Sequence, residues 1–186
     1  MLRPWLSRLV LVLTLLLVCP VGAQAGQPDG QPDGHLWAIL EGQPLALVEV
    51  GQHYCHDFAY PRYTCFGTAS ERDRDMATML AAGGLRRIGA GSIDGALGAQ
   101  SVTYVLFFEH SDYGGVSNAV STPIPDLGAL GWSNRISSFK STNGGRPRWW
   151  DSTSYSGTFW QWGTSVWVSY VGDTANDRFT SVQNVP

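Results

Sequence analysis

Lysine is scarce in this chain, and charged residues of either sign make up only 15% of its 186 residues. No basic stripe or polybasic cluster is present, so nucleic acid is not an expected partner. The signatures GxSxG and HExxH are missing, and so is a phosphate-cradling glycine loop. Four histidines stand at His35, His53, His56 and His110, yet no nucleophile and base can be assigned, so the chain is not expected to be an enzyme. Cysteine is rare, at three residues in all. Long apolar runs are lacking too, since Leu9 to Val18 falls short of the about 20 residues a spanning helix needs.

What precedes and follows that short run is informative. Arg3 and Arg8 stand before it and Ala23-Gln24-Ala25 after it, which marks residues 1–25 as a secretory signal peptide. A membrane anchor competes with this reading, as does lipidation at Cys19, which the bulky Val18 disfavours. The expected product is secreted, extracellular and, after cleavage, free of the membrane. Removing Arg3 and Arg8 leaves ten basic residues against fifteen acids, a net charge of about −5. Cys55 and Cys65 then form an even pair, read as a disulfide worth about 2–3 kcal/mol. A metal cluster of His53, Cys55, His56 and Asp57 is the competing reading, but a zinc site usually shows a second, separated ligand pair.

Residues 26–34 contain the tandem "QPDGQPDG" and form a flexible leader that cannot bury apolar surface. Residues 35–100 make an N-terminal disulfide-containing segment with one short helix. Its first part, "LWAILEGQPLALVEV", reads as two strands joined at Gly42-Gln43-Pro44. The helix is expected from Ser70, capped with Asp73, to a stop at Gly83-Gly84, with Met76, Met79 and Leu80 on its packing face. Residues 85–100 read as a linker. At residues 101–186 the texture changes, and "SVTYVLFF" alternates like a strand.

Two motifs recur in this last part. "FEHSDYGG" (108–115) returns as "WDSTSYSG" (150–157), and "SNRISS" (133–138) as "NDRFTS" (176–181), at offsets of forty-two and forty-three residues. The first motif suits a folded-over hairpin. Its glycine permits a positive φ or a close backbone approach, and its two aromatics can pack across the bend. Ordinary hairpins remain the plainer reading of that motif alone. Both motifs together resemble the βγ-crystallin Greek-key family, over residues 101–184.

That resemblance implies a mainly β, two-sheet Greek-key sandwich, with key one at about 101–140 and key two at about 146–184. It implies Ca²⁺ as well, since microbial members bind it through an Asn/Asp–Asn/Asp–x–x–Ser/Thr–Ser stretch in each key. By resemblance, the fifth-position hydroxyls are Ser137 and Thr180, and the second-position side chains are Asn134 and Asp177. Third-position carbonyls would come from Arg135 and Arg178, and hairpin carbonyls of the opposite key from near Glu109 and Asp151. Ser133 departs from the pattern, so the copy with Asp177 and Thr180 is the more complete. With few formal charges on the ion, the expected Kd is about 10⁻⁵ to 10⁻³ M. If the metal reading fails, both hexapeptides are simple Asx-type turns.

The expected function is thus a secreted, monomeric calcium-binding protein whose fold the ion stabilises. The alternative is a binding module or proteinase inhibitor that meets a protein or glycan through Trp149, Trp150, Trp160, Trp162 and Trp167. Such tryptophans more commonly pack in cores and key corners.

Overall fold

The computed structural model describes residues 35–82 and 102–185. The signal peptide, the leader, the linker and the Gly83-Gly84 helix stop lie outside the described residues. Among the described residues the protein is mainly β, with one α-helix.

The N-terminal segment begins with strands β1 (Trp37–Leu40) and β2 (Gln43–Leu45). Glu41 and Gly42 join them at φ of 51° and 84°, the paired positive φ values of a type I′ hairpin turn. The second apolar run does not continue as a strand. Leu47–Gln52 winds into a 3-10 helix instead, which buries Val50 and Gly51. Strands β3 (Tyr54–Ala59) and β4 (Arg62–Phe66) follow. The Cys55–Cys65 disulfide joins them directly across their ladder.

Helix α1 covers Ala69–Ala81. It starts earlier than Ser70 because Thr68 is the better cap. The Thr68 hydroxyl accepts from the Glu71 amide at 3.3 Å, while the Glu71 carboxylate accepts from the Thr68 amide at 3.1 Å. That reciprocal pair uses Glu71 in place of the expected Asp73. Asp73 instead holds Arg72, whose buried guanidinium also reaches the Ser117 carbonyl at 2.7 Å. Met76 is buried, and Met79 and Leu80 pack with it against Phe58, Tyr104 and Leu106.

Key one consists of β5 (Val105–Phe108), β6 (Ser117–Val120) and β7 (Ser138–Ser141). Key two consists of β8 (Arg146–Ser152), β9 (Ser156–Gln161), β10 (Trp167–Val168) and β11 (Ser181–Val185). The third strands are exchanged. β10 pairs with β7 of key one, and Ile124 bridges to Val182 of β11 in key two. One sheet therefore runs β10-β7-β5-β6 and continues through β3-β4-β1-β2, while the other runs β11-β8-β9.

Between the sheets lies an aromatic core. Trp149 stacks on Phe179 at 4.9 Å, and Phe107 meets Trp132 and Trp149 edge-on at 4.9 and 5.9 Å. Each such ring removes 150–250 Å² from water, worth about 4–6 kcal/mol before entropy is counted. Val105 and Phe107 point into this core, and Leu106 lies beneath α1. β5 is apolar on both faces because both faces are covered.

The expected alternative of a metal cluster at His53, Cys55, His56 and Asp57 is left with His53 alone, since its other three members are engaged elsewhere. Cys55 is bridged, and Asp57 accepts from the amides and hydroxyls of both Ser121 and Thr122. His56 is fully buried; the Phe58 amide donates to Nδ1, so Nε2–H donates to Asp75 at 2.8 Å. Burial lowers the His56 pKa, opposed by the bond to Asp75. Burial also raises the Asp57 pKa against its hydrogen bonds.

A histidine kept neutral in the fold contributes stability that is present above its unfolded pKa of about 6.5 and is lost as pH falls further. We expect the melting temperature to drop between pH 7 and pH 5, with a shallower slope in His56→Gln; thermal scans across that range check it. Reducing the disulfide, which closes a sequence separation of 10, should cost about 2–3 kcal/mol, read from denaturant midpoints.

Candidate functional site: the crossed loops of the two keys

The hairpins and hexapeptides form one repeated assembly in each key. In the hairpins, Asp112 and Tyr113 (φ 54° and 63°) match Ser154 and Tyr155 (φ 55° and 58°). The expected aromatic pairs form across each bend, Phe108 with Tyr113 at 5.5 Å and Trp150 with Tyr155 at 5.4 Å. Gly115 and Gly157 have φ of 75° and 81°. A Cβ on Gly157 would run into the Asp151 carboxylate, and one on Gly115 would sit 3.0 Å from Glu109 Cβ.

Each hexapeptide position has its own task. Asn134 and Asp177 adopt φ of 57° and 54°, a left-handed conformation that Asn and Asp tolerate better than most residues. Ile136 and Phe179 are fully buried anchors. The final serines lock the hairpins. Ser138 donates to the His110 carbonyl at 2.6 Å and accepts from the Tyr113 amide at 3.2 Å. Ser181 does the same with Ser152 and Tyr155, at 2.7 and 3.1 Å. Sequence reasoning misses this locking role, although a serine repeated at both sixth positions is its signal.

The third-position arginines tie each loop to its own hairpin. Arg135 donates to Glu109 at 2.8 Å and Arg178 to Asp151 at 3.4 Å. Arg135 holds the Glu109 carboxyl below its usual range. The Glu109 carboxylate is thus committed to Arg135, while Asp151 also accepts from the Thr158 amide at 2.9 Å.

The loops cross over. The Asn134 amide donates to the Phe179 carbonyl at 2.9 Å, and the Asp177 amide to the Ile136 carbonyl at 3.4 Å. Thr180 Oγ1 consequently lies 3.5 Å from Asn134 Oδ1 and 3.4 Å from Ser133 Oγ. The hydroxyl of key two therefore meets the amide of key one, whereas the hexapeptide pattern groups Thr180 with Asp177. On the other loop, Asn176 Nδ2 donates to Asp177 Oδ2 at 2.8 Å, and among the described residues the buried Asn176 Oδ1 has no donor. Ser137 is nearly buried, at 7% exposure.

The candidate ligand atoms of these loops are oxygens, a set that suits a hard cation better than zinc. Among the described residues no three His, Cys, Asp or Glu side chains group as metal ligands. An ion would rely on amide, hydroxyl and backbone oxygens. The 3.5 Å between Asn134 and Thr180 oxygens matches one edge, about 3.4 Å, of an octahedral shell with oxygens at about 2.4 Å.

The expected aromatic face is not assembled as such. Trp149 and Trp150 are buried, Trp160 and Trp162 are half-buried, and Trp167 is 68% exposed.

Two paired Greek keys, in which β10 of key two and the Ile124 bridge of key one each cross to the other key and the closing loops cross over, define the βγ-crystallin type of fold. No family model matches the chain, and no curated protein does either. Among solved structures it is similar to a βγ-crystallin domain from Clostridium beijerinckii, at 27% identity over 44% of this chain and 95% of that one, TM-score 0.40. It is similar to a βγ-crystallin from an archaeon at 24% identity, over 46% and 100%, TM-score 0.41. A βγ-crystallin from Ciona intestinalis gives 23% identity over 44% and 99%, TM-score 0.40.

Ser181→Ala would leave the Ser152 carbonyl and the Tyr155 amide without this partner, at an expected cost of about 1–3 kcal/mol. Gly157→Ala should cost more, since strain at positive φ adds to the clash with Asp151. Denaturant unfolding of both variants checks the order.

Proposed function

We propose that this is an exported calcium-binding protein in which two paired loop sites, one on each side of the crossing, stabilise the Greek-key domain. The observation that carries the reading is the approach of Asn134 Oδ1 to Thr180 Oγ1 across the two keys. The unpartnered Asn176 Oδ1 beside the Asp177 carboxylate supports it on the second loop. Asn134, Ser133 and Thr180 would hold one ion, and Asp177, Asn176 and Ser137 the other, with loop and hairpin carbonyls completing each shell. Bound calcium supplies a bridge between oxygens of different keys. The chain's own residues preset that bridge: the left-handed residues 134 and 177 turn the loops, and the arginines hold the hairpins.

Because the ion would bind the folded chain alone, stability rises with free calcium, by about 2.7 kcal/mol per site at 100 times Kd. An extracellular setting of millimolar calcium suits the expected affinity of about 10⁻⁵ to 10⁻³ M. Among the described residues no helix is long and apolar enough to cross a membrane. Export rests on the signal-like residues 1–25.

Thermal unfolding in chelator, in millimolar Mg²⁺ and in millimolar Ca²⁺ tests the reading. A calcium-specific rise of several degrees is expected, reduced in Asn134→Ala and in Thr180→Ala. Double-mutant cycles should show these two substitutions coupled, since they share one site. An identical melting temperature in chelator and calcium sinks the proposal.

A further inference from the structure

The two keys differ in what meets their outer faces. In key one, Leu106 and Ala119 pack with Met76, Met79 and Leu80 of α1. The equivalent face of key two, on β11-β8-β9, leaves Phe159 53% exposed.

Alternation along the strands fixes which residues that face presents. Trp149 and Val182 point into the core, and Trp160 packs on Phe179, so Arg148, Gln183, Phe159 and Gln161 turn outward. Register sets them in rows. Arg148 stands between Gln183 on β11 and Gln161 on β9, and Trp150 stands opposite Phe159. Arg146, two residues before Arg148, lies on the same side. With strands about 4.8 Å apart, the Gln-Arg-Gln row is about 10 Å long, the reach of a disaccharide.

This face is cationic in a chain whose formal net charge is −3. Its three strands contain one acid, Asp151, whose carboxylate accepts from Arg178 and from the Thr158 amide. Neither Arg146 nor Arg148 has a carboxylate partner among the described residues. Arg146 Nε donates to the Trp162 carbonyl at 3.2 Å. The Arg148 guanidinium lies 5.7 Å from the Trp150 ring and 5.1 Å from the Phe159 ring, and its buried Nε has no acceptor among the described residues. Stacking fixes the guanidinium plane, which presets its fork of donors for a carboxylate. Like charges hold a second copy of this face away.

An anion that answers Arg148 meets a glutamine on each side, and each glutamine offers both donors and an acceptor. That pattern suits a ring bearing hydroxyls, and Phe159 offers an apolar surface to the C–H side of such a ring. An acidic peptide would need the arginines but not the exposed phenyl ring.

We propose that the outer face of β11-β8-β9 binds a carboxylate-bearing glycan. The uronate carboxylate sits on Arg148 with Arg146 beside it, Gln161 and Gln183 take the hydroxyls, and a sugar ring lies on Phe159.

Calorimetric titration of the purified protein with hyaluronan and oligogalacturonate fragments tests it. Chelator is present throughout, so calcium bridges no carboxylates and the outcome is separate from the loop sites. The wild type should bind at least one of these uronate probes. Chito-oligosaccharides keep the ring without the carboxylate, and poly-glutamate keeps the carboxylate without the ring; each should bind at least tenfold more weakly. Arg148→Gln and Phe159→Ala should each lose at least tenfold in affinity. Arg146→Gln, at an exposed position, should lose severalfold without touching the packing. Arg74→Gln removes the same charge from the exposed side of α1 and should bind like the wild type. A wild type that binds neither uronate probe overturns the proposal. So does poly-glutamate binding as tightly as the uronates, or full affinity in Phe159→Ala or in Arg146→Gln.

Discussion

The exchange of third strands makes each Greek key incomplete without the other. β10 leaves key two to pair with β7, and Ile124 leaves key one to pair with Val182. The closing loops then dock on each other's carbonyls, and Ile136 and Phe179 are buried together in the shared core. The spacing of the loop oxygens follows from this docking rather than from either loop alone. A change that separated the keys would break the β10–β7 pairing and disperse the candidate site together.

The N-terminal segment breaks the symmetry of the pair. β3 extends the sheet of key one, α1 lies over its outer face, and the 3-10 helix packs so closely on Gly131 that a Cβ there would strike the Val48 carbonyl. Leu106, beneath the helix, corresponds by the repeat to Arg148 of key two, whose guanidinium stacks beside Trp150 and Phe159. Buried charges fasten this addition. Arg72 reaches across to Ser117, and Asp57 holds Ser121 and Thr122 where the chain leaves β6. Each is satisfied by several hydrogen bonds, the condition under which a buried polar group is tolerable.

The sequence was legible where the determinants are local. Positive-φ positions, the aromatic pairs across each bend, the disulfide between neighbouring strands and the existence of α1 all depend on residues a few positions apart. It misled where local signals were nearly balanced. Thr68 and Ser70 are both capable caps, and Glu71 decided for Thr68 by answering its amide. The apolar run "LALVEV" has strand composition, yet packing of Gly51 against Gly131 gives it a 3-10 course. Trp149 and Trp150 are adjacent and point to opposite faces of β8, and both are buried. Trp149 lies in the shared core, while Trp150 packs against Tyr155 and Arg148.

By itself, then, the sequence determined a repeated turn chemistry: Asn or Asp where the backbone turns left-handed, an apolar anchor and a hydroxyl. Such preferences are set by sterics and hydrogen bonding within one loop. Only the tertiary structure decided that the hydroxyl of Thr180 meets the amide of Asn134, forty-six residues away. It also decided that β3 covers β6 while the described residues leave β9 open. Both depend on which strands pair across the whole chain, and backbone hydrogen bonds carry no side-chain label from which that pairing could be read.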